Sequence, residues 1–259
     1  MDTITLHSLV YYKGDLDKVP PDDRLFFLMA GAISNDTQAL NKLLAVIIGT
    51  PDHDNAIHKQ ANSAFATLAL RMLTGRLNEA YKLVSKYSNK LIRPHYLDEM
   101  SDEAKEGFQK LHEYFGGKRS LILKVRDGMA FHSIPEHVEA AYARLEPKGD
   151  LGDYLGRSIG NTLYYTPEIL HFETLMHLTG IHDAATAIET WVQDAQEQTS
   201  NFNSFIFGYV LVFAKRYLQD ALDKLPDEAE IIPVEAFEAL KLPYLSKFPS
   251  TDQDGPRES

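Results

Sequence analysis

No cysteine occurs among the 259 residues. That absence excludes disulfides, cysteine nucleophiles and thiolate metal sites together. It suits a reduced compartment, and the cytoplasm is the expected location. The opening MDTITLHSLVYYKGD has neither a basic n-region nor an apolar h-region, so no signal peptide is expected. Long apolar runs are also missing. The longest, Phe205 to Ala214, has ten residues, about half of what a bilayer span needs. No hairpin dipeptide such as Asn-Gly separates alternating runs, so strand signals are scarce. The P-loop, GxGxxG, GxSxG and HExxH motifs are absent, which leaves no signature of a nucleotide-cradling loop, a serine hydrolase elbow or a zinc protease helix. Positive charge is in deficit: 26 Lys+Arg stand against 37 Asp+Glu, a net charge of −11. A protein that coats nucleic acid over its whole surface would have the opposite balance.

What is present supports a globular core. Apolar residues make up 44% and include 13 Phe and 13 Tyr, too many for a disordered chain. Helical spacing dominates. Between Asn55 and Asn89 the apolar stripe runs Ala61, Phe65, Leu68, Met72, then Leu73, Leu77, Ala80, Val84, Tyr87 and Leu91, by fours and threes. Its phase slips by one at Met72–Leu73, and the adjacent Gly75 predicts a kink. A second long helix is predicted from His182 to about Leu222, with stripe residues Ile188, Val192, Ala195, Thr199, Phe202, Ile206, Tyr209, Phe213 and Tyr217. Its second half is apolar nearly all round and is expected to be the more buried.

Shorter helices are predicted between them. One opens at Pro20–Asp23 with Leu25, Leu28, Met29 and Ala32. Asn35 or Asp36 is expected to cap the next, which ends at Gly49. Ser101 caps a helix through Phe115, and another runs from about Arg119 to Phe131. Pro135 and Thr166-Pro167-Glu168 start two more. Thr3–Tyr12 suits a short edge element, and Lys148–Tyr165, with four glycines, reads as a loop. The expected fold is all-α: a helical bundle over 1–245 with a long C-terminal helix, followed by a loose polar tail at 246–259.

Charge is uneven along the chain. From Lys59 to His95 there are seven basic residues and one acid, and from Lys110 to Arg126 five and one. From Tyr217 to Ser259, ten acids face four bases. Lys82, Lys86 and Lys90 share one helix face and, with Lys124, are candidate contacts for a phosphodiester backbone. A solvated helix face explains the same run more simply.

The segment Lys124-Val125-Arg126-Asp127-Gly128-Met129-Ala130-Phe131-His132-Ser133 carries the most chemistry. Arginine can hold two phosphate oxygens at once, and histidine moves protons near neutral pH. Together they can cleave RNA without a metal: a base takes the 2′-OH proton while Arg neutralises charge growing on the phosphate. On an ideal helix residues six apart differ by about 120° in direction and about 9 Å in height. Arg126 and His132 therefore converge only if the helix loosens at Gly128 or two copies meet. A structural ion pair at Arg126 and a helix-capping His132 is the simpler alternative.

Arg126-Asp127-x4-His132 resembles the signature of the HEPN superfamily (higher eukaryotes and prokaryotes nucleotide-binding domains). VRDGMAFHS and the upstream RMLTGRLNEA also resemble a group of bacterial HEPN-like proteins, over about residues 20–145. The resemblance implies an all-α bundle, a homodimer and, in active members, a metal-independent endoribonuclease of a stress, defence or toxin system. Arg126 would then bind the scissile phosphate, Asp127 would be the polar accessory residue, and His132 the acid/base group. It further implies an RNA substrate, an antitoxin partner in toxin systems, and no cofactor. A HEPN-like binding or assembly module without catalysis is the alternative.

A second constellation lies at Glu168, His171, Glu173 and His177. Glu168-x2-His171 has di-iron ligand spacing, but a second such motif is missing. Intrahelical Glu–His pairing is the expected arrangement, and no metal is assigned.

Overall fold

Two adjacent prolines set the start of the first long helix. Proline fixes φ at a helical value and lacks the N–H that a first turn leaves unsatisfied. The computed structural model describes residues 2–50, 55–117, 120–130, 135–157, 159–225 and 229–247. In it, strand β1 (Asp2–His7) leads into a short helix α1 (Lys13–Leu16) and then α2 (Pro21–Gly49). Helix α3 spans Ala56–Tyr87 and continues as a π-helical segment, Ser88–Tyr96. Helix α4 (Asp102–Gly116) and α5 (Leu121–Val125) follow, and a π-helical turn, Arg126–Ala130, extends α5. Next come α6 (Pro135–Tyr142), α7 (Tyr165–Thr179), α8 (Ala184–Tyr217) and α9 (Gln219–Lys224), and β2 (Ala229–Val234) pairs antiparallel with β1. The fold is all-α apart from that two-stranded ladder. No helix among the described residues is long and apolar enough to cross a membrane.

Caps appear where the sequence supplies them. Asn55, Ser101, Ser120 and Asp183 each accept a backbone N–H in the first turn of α3, α4, α5 and α8. Gly180 ends α7 with φ of 72°, a left-handed conformation that glycine adopts without strain.

Two predicted interruptions are absent. Helix α2 runs straight through Asn35 and Asp36, which lie exposed on its outer face, where Asp36 pairs with Arg76 of α3. Helix α3 is continuous through Gly75, which is buried. Interior positions that looked polar in sequence find internal partners. Thr74 accepts a hydrogen bond from the fully buried Trp191 Nε1 at 2.8 Å, and Thr67 donates to Ser63 O at 2.9 Å. With Thr67 and Thr74 inside, Leu68 and Met72 of the predicted stripe are turned outward. The irregularity falls instead after Tyr87, where Pro94 sits inside the π-helical segment.

Helix α8 is the axis of the bundle and packs on α2, α3, α4 and α7. Its second half is more buried than its first, as the pattern predicts. It ends at Tyr217, short of the expected Leu222, and α9 takes up the chain. Close approach to α4 depends on glycine. A Cβ on Gly107 would lie 2.6 Å from Asn201 O, and one on Gly208 would overlap Ala104 Cβ.

The least soluble group in the core is a carboxylate. Asp23, in the first turn of α2, is buried. Its Oδ1 accepts hydrogen bonds from Tyr96 and, at 3.1 Å, Tyr217, while its backbone carbonyl accepts from Tyr209 at 3.2 Å. Burial, above all, pushes the phenols of Tyr96 and Tyr209 far above their ordinary range, so both remain donors.

β2 went unpredicted because its Pro233 and brevity mask the alternation of Ile231 with its neighbours. In the glycine-containing loop an isolated bridge joins Tyr154 to Leu163, and Tyr154 donates its hydroxyl to Gln60 Oε1 at 2.6 Å. Of the expected tail, residues from 248 onward lie outside the described residues. Ser246 is tied down, with Asn161 Nδ2 donating to its carbonyl at 2.7 Å.

Glycine packing yields a prediction of opposite signs. Gly208→Ala is expected to lower unfolding free energy by about 1–3 kcal/mol through overpacking against α4. Gly31→Ala in α2, with open space around it, should raise it by up to about 1 kcal/mol. Urea denaturation of the two variants reads both.

Candidate functional site

Helix α5 places Val125 in the core with no exposed surface. The next residue begins the π-helical turn, so Arg126 leaves the core at a point where the helix widens. The turn packs against α3, α5 and α7. A Cβ on Gly128 would come within 3.3 Å of Leu178 Cδ1 in α7, and His137 Nδ1 lies 3.2 Å from the Gly128 carbonyl. Met129 is buried beside them. The backbone of the motif is therefore gripped on several sides while its polar side chains face outward.

The Arg126 guanidinium donates to Asp127 Oδ1 at 2.6 Å, with side-chain exposures of 35% and 66%. An exposed ion pair of this kind contributes about 1 kcal/mol or less. Asp127 thus orients Arg126 without holding it strongly, and a phosphate dianion can take the carboxylate's place. His132 lies outside the described residues. The π-helical turn Arg126–Ala130 includes Gly128.

The four lysines are distributed differently. Lys82 pairs with Glu79 at 2.8 Å, and Lys90 with Asp22 at 2.9 Å while lying 4.4 Å from the Tyr87 ring centre. Lys86 is exposed, 5.5 Å from the same ring. Lys82 and Lys86 border a groove of about 390 Å³ between α2 and α3, with Met29, Ile33 and Leu83 as its apolar wall. Lys124 is exposed on α5, adjoining the Arg126 turn.

At the second constellation, Glu168 and His171 pair within α7 as expected, Oε2 to Nδ1 at 3.3 Å. Sequence spacing did not reveal their third partner. Arg71 reaches from α3 to His171 Nε2 at 3.1 Å and to Glu168 Oε1 at 3.5 Å, with Arg71 and Glu168 only 15% and 14% exposed. The guanidinium caps the Glu168–His171 pair. Glu173 and His177 make no ion pair with each other among the described residues, where no group of three or more metal-ligating side chains occurs.

Sequence reasoning also missed a cleft between the π-helical segment and α4, around Arg93, Lys105 and His112. The i, i+3, i+7 spacing of Lys105, Phe108 and His112 was its legible signal; the facing Arg93 is fixed only by the π-helical path.

Neither a protein-family model nor a curated protein nor a solved structure matches this chain.

Removing one member of the Arg71 cluster tests its structural role. Arg71→Met leaves Glu168 largely buried without its cation and is expected to cost about 2–3 kcal/mol. Arg71→Met/Glu168→Leu, which removes both charges, should recover most of that loss in the same denaturation assay.

Proposed function

We propose that this chain is a HEPN-like, cytoplasmic protein that cleaves RNA without a metal, using Arg126, Asp127 and His132. The observation that carries the reading is the Arg126–Asp127 pair, exposed on a π-helical turn whose backbone is locked against α3 and α7. Catalysis by electrostatic stabilisation needs a charged donor that is positioned in advance and still reachable by substrate. Asp127 supplies the positioning and exposure supplies the access. In this mechanism His132 takes the proton from the 2′-OH as that oxygen attacks the phosphate. Arg126 neutralises the charge growing on the phosphoryl oxygens; the P–O5′ bond breaks as the 2′-oxygen closes a 2′,3′-cyclic phosphate, and the 5′-oxygen takes its proton from the protonated His132 imidazole. Lys124, on the turn before Arg126, adds backbone attraction, and Lys82, Lys86 and Lys90 form a separate basic face.

The test is cleavage of an RNA panel by the purified protein in EDTA. His132→Ala and Arg126→Ala are each expected to lower the rate by about 100-fold or more. Equal cleavage by wild type and both variants, or none by wild type, removes the catalytic claim.

A non-catalytic assembly role is favoured by a different surface. Leu25, Leu28, Met29 and Ala32 repeat at helical spacing on α2, yet all four are exposed. Such a stripe on a helix that is otherwise well packed suits self-association of two copies into a homodimer. The protein is expected to run as a dimer in light scattering after size exclusion, and Leu28→Asp to run as a monomer. A monomeric wild type, or a dimer unchanged by Leu28→Asp, removes α2 as the contact. An antitoxin partner belongs to the catalytic reading alone.

A further inference from the structure

Helix α4 buries one face on α8 and turns another towards the π-helical segment that follows α3. On that second face Lys105, Phe108 and His112 follow one another at intervals of three and four. Across from them the segment carries Arg93, and the chain then passes through Leu97. The space between the two walls is a cleft of about 560 Å³, within the range that small-molecule sites occupy.

Two side chains in the cleft are held in place without having their charge or hydrogen-bonding capacity used up. Arg93 donates from Nε to Ser88 Oγ at 3.2 Å, and its guanidinium carbon lies 5.1 Å from the Phe108 ring centre. No carboxylate lies within ion-pair distance of it among the described residues. The other is His112. Its ring is clamped edge-on by Phe108 at 4.5 Å and Tyr81 at 5.7 Å. Its Nε2 is buried and has no hydrogen-bond partner among the described residues. Lys105 supplies a second cation, reaching Asp102 only at 3.8 Å.

We propose that this cleft binds a small phosphate monoester, its phosphate between Arg93, Lys105 and His112 and its organic part against Leu97 and Phe108. A guanidinium fork, an ammonium and an imidazole together offer the hydrogen-bond donors that a phosphate dianion accepts. The carboxylates present restrict what enters. Glu113 is occupied by the Gln109 amide at 2.7 Å, and Asp98 stands at the rim. Asp98, Glu113 and, beside Lys105, Asp102 offset the two cations, so the cleft lacks the sustained positive field that draws in an extended polyanion such as RNA. One compact dianion that reaches Arg93 and His112 closely still gains, because Coulomb attraction rises as separation falls. The site is therefore distinct in chemistry from the Arg126 turn.

Phosphate in this position has a spectroscopic consequence. Burial, and then the neighbouring Arg93 charge, hold the His112 imidazole below its ordinary pKa of 6.5, so the ring is neutral at pH 7. The charged groups around it are Arg93, Lys105, Glu113 and Asp98. A bound phosphate adds negative charge and draws the His112 titration upward.

The experiment titrates the full chain with phenyl phosphate and with inorganic phosphate, reading the His112 side-chain resonances, assigned by their loss in His112→Gln. Both ligands are expected to shift these resonances saturably and raise their pH midpoint, with phenyl phosphate binding more tightly. Arg93→Gln should weaken phenyl phosphate by about tenfold or more, and Lys105→Gln should act in the same direction if Arg93→Gln fails to fold. Arg126→Ala should bind as wild type does. No saturable shift, an equal shift in Arg93→Gln and Lys105→Gln, or an equal shift with phenol overturns the proposal.

Discussion

One carboxylate joins three parts of this fold. Asp23 sits at the start of α2, where the positive end of the helix dipole favours an acid. Its oxygens gather Tyr96 from the end of the π-helical segment and Tyr209 and Tyr217 from the far end of α8. A buried carboxylate is tolerated only with donors around it, and phenols supply donors on large apolar rings that also fill the core. Phe26, Phe205 and Phe213 pack around these rings. The path of the π-helical segment follows from this anchor. Tyr96 fixes one end and Tyr87 the other, and between them Pro94 prevents an ordinary helix from re-forming. Arg93 faces α4 because both ends of its segment are held.

A similar division of labour recurs at the Arg126 turn. Of the apolar members of LILKVRDGM, Leu121, Ile122, Val125 and Met129 are buried and Leu123 is half-buried, while Lys124 and Asp127 are exposed. Close contact at Gly128 fixes the backbone, and the ion pair with Asp127 then orients the Arg126 guanidinium. Both π-helical stretches directly continue an α-helix, α3 and α5. In each, an arginine emerges from a backbone that the core has immobilised. Rigid backbone beneath an accessible charge is the arrangement that binding of an anion requires, because little ordering remains to be done when the ligand arrives.

The helices were legible in the sequence because most of their signals were local. Ser101, Asp183 and Gly180 mark ends by their own chemistry, and the threes and fours of α8 mark a face. Errors arose where a polar residue had a distant partner. Thr74 reads as a surface residue until Trp191, more than a hundred positions on, is placed against it. Asn35 and Asp36 read as caps, yet Asp36 serves Arg76 on the neighbouring helix. Glu168 and His171 showed their spacing but not the guanidinium of Arg71 that caps the pair. The same limit applies to the cleft at His112: the face of α4 follows from spacing, whereas Arg93 opposite depends on a π-helical path that no propensity encodes. Of the Arg126 motif, residue types and order were readable, and the turn that exposes Arg126 was not.

The two strands form a small ladder in which every residue of β1 is exposed, so it adds little to the core. Its importance is topological. β1 comes before all the long helices and β2 after them, so Asp2 meets Val234 across the whole bundle. On a ribosome the first strand emerges early and waits for its partner while every helix is made. Pairing across so long a loop carries a large closure entropy. The helices must therefore assemble without help from the ladder, which fastens last. Until then β1 presents Ile4 and Leu6 and an unpaired strand edge to its surroundings.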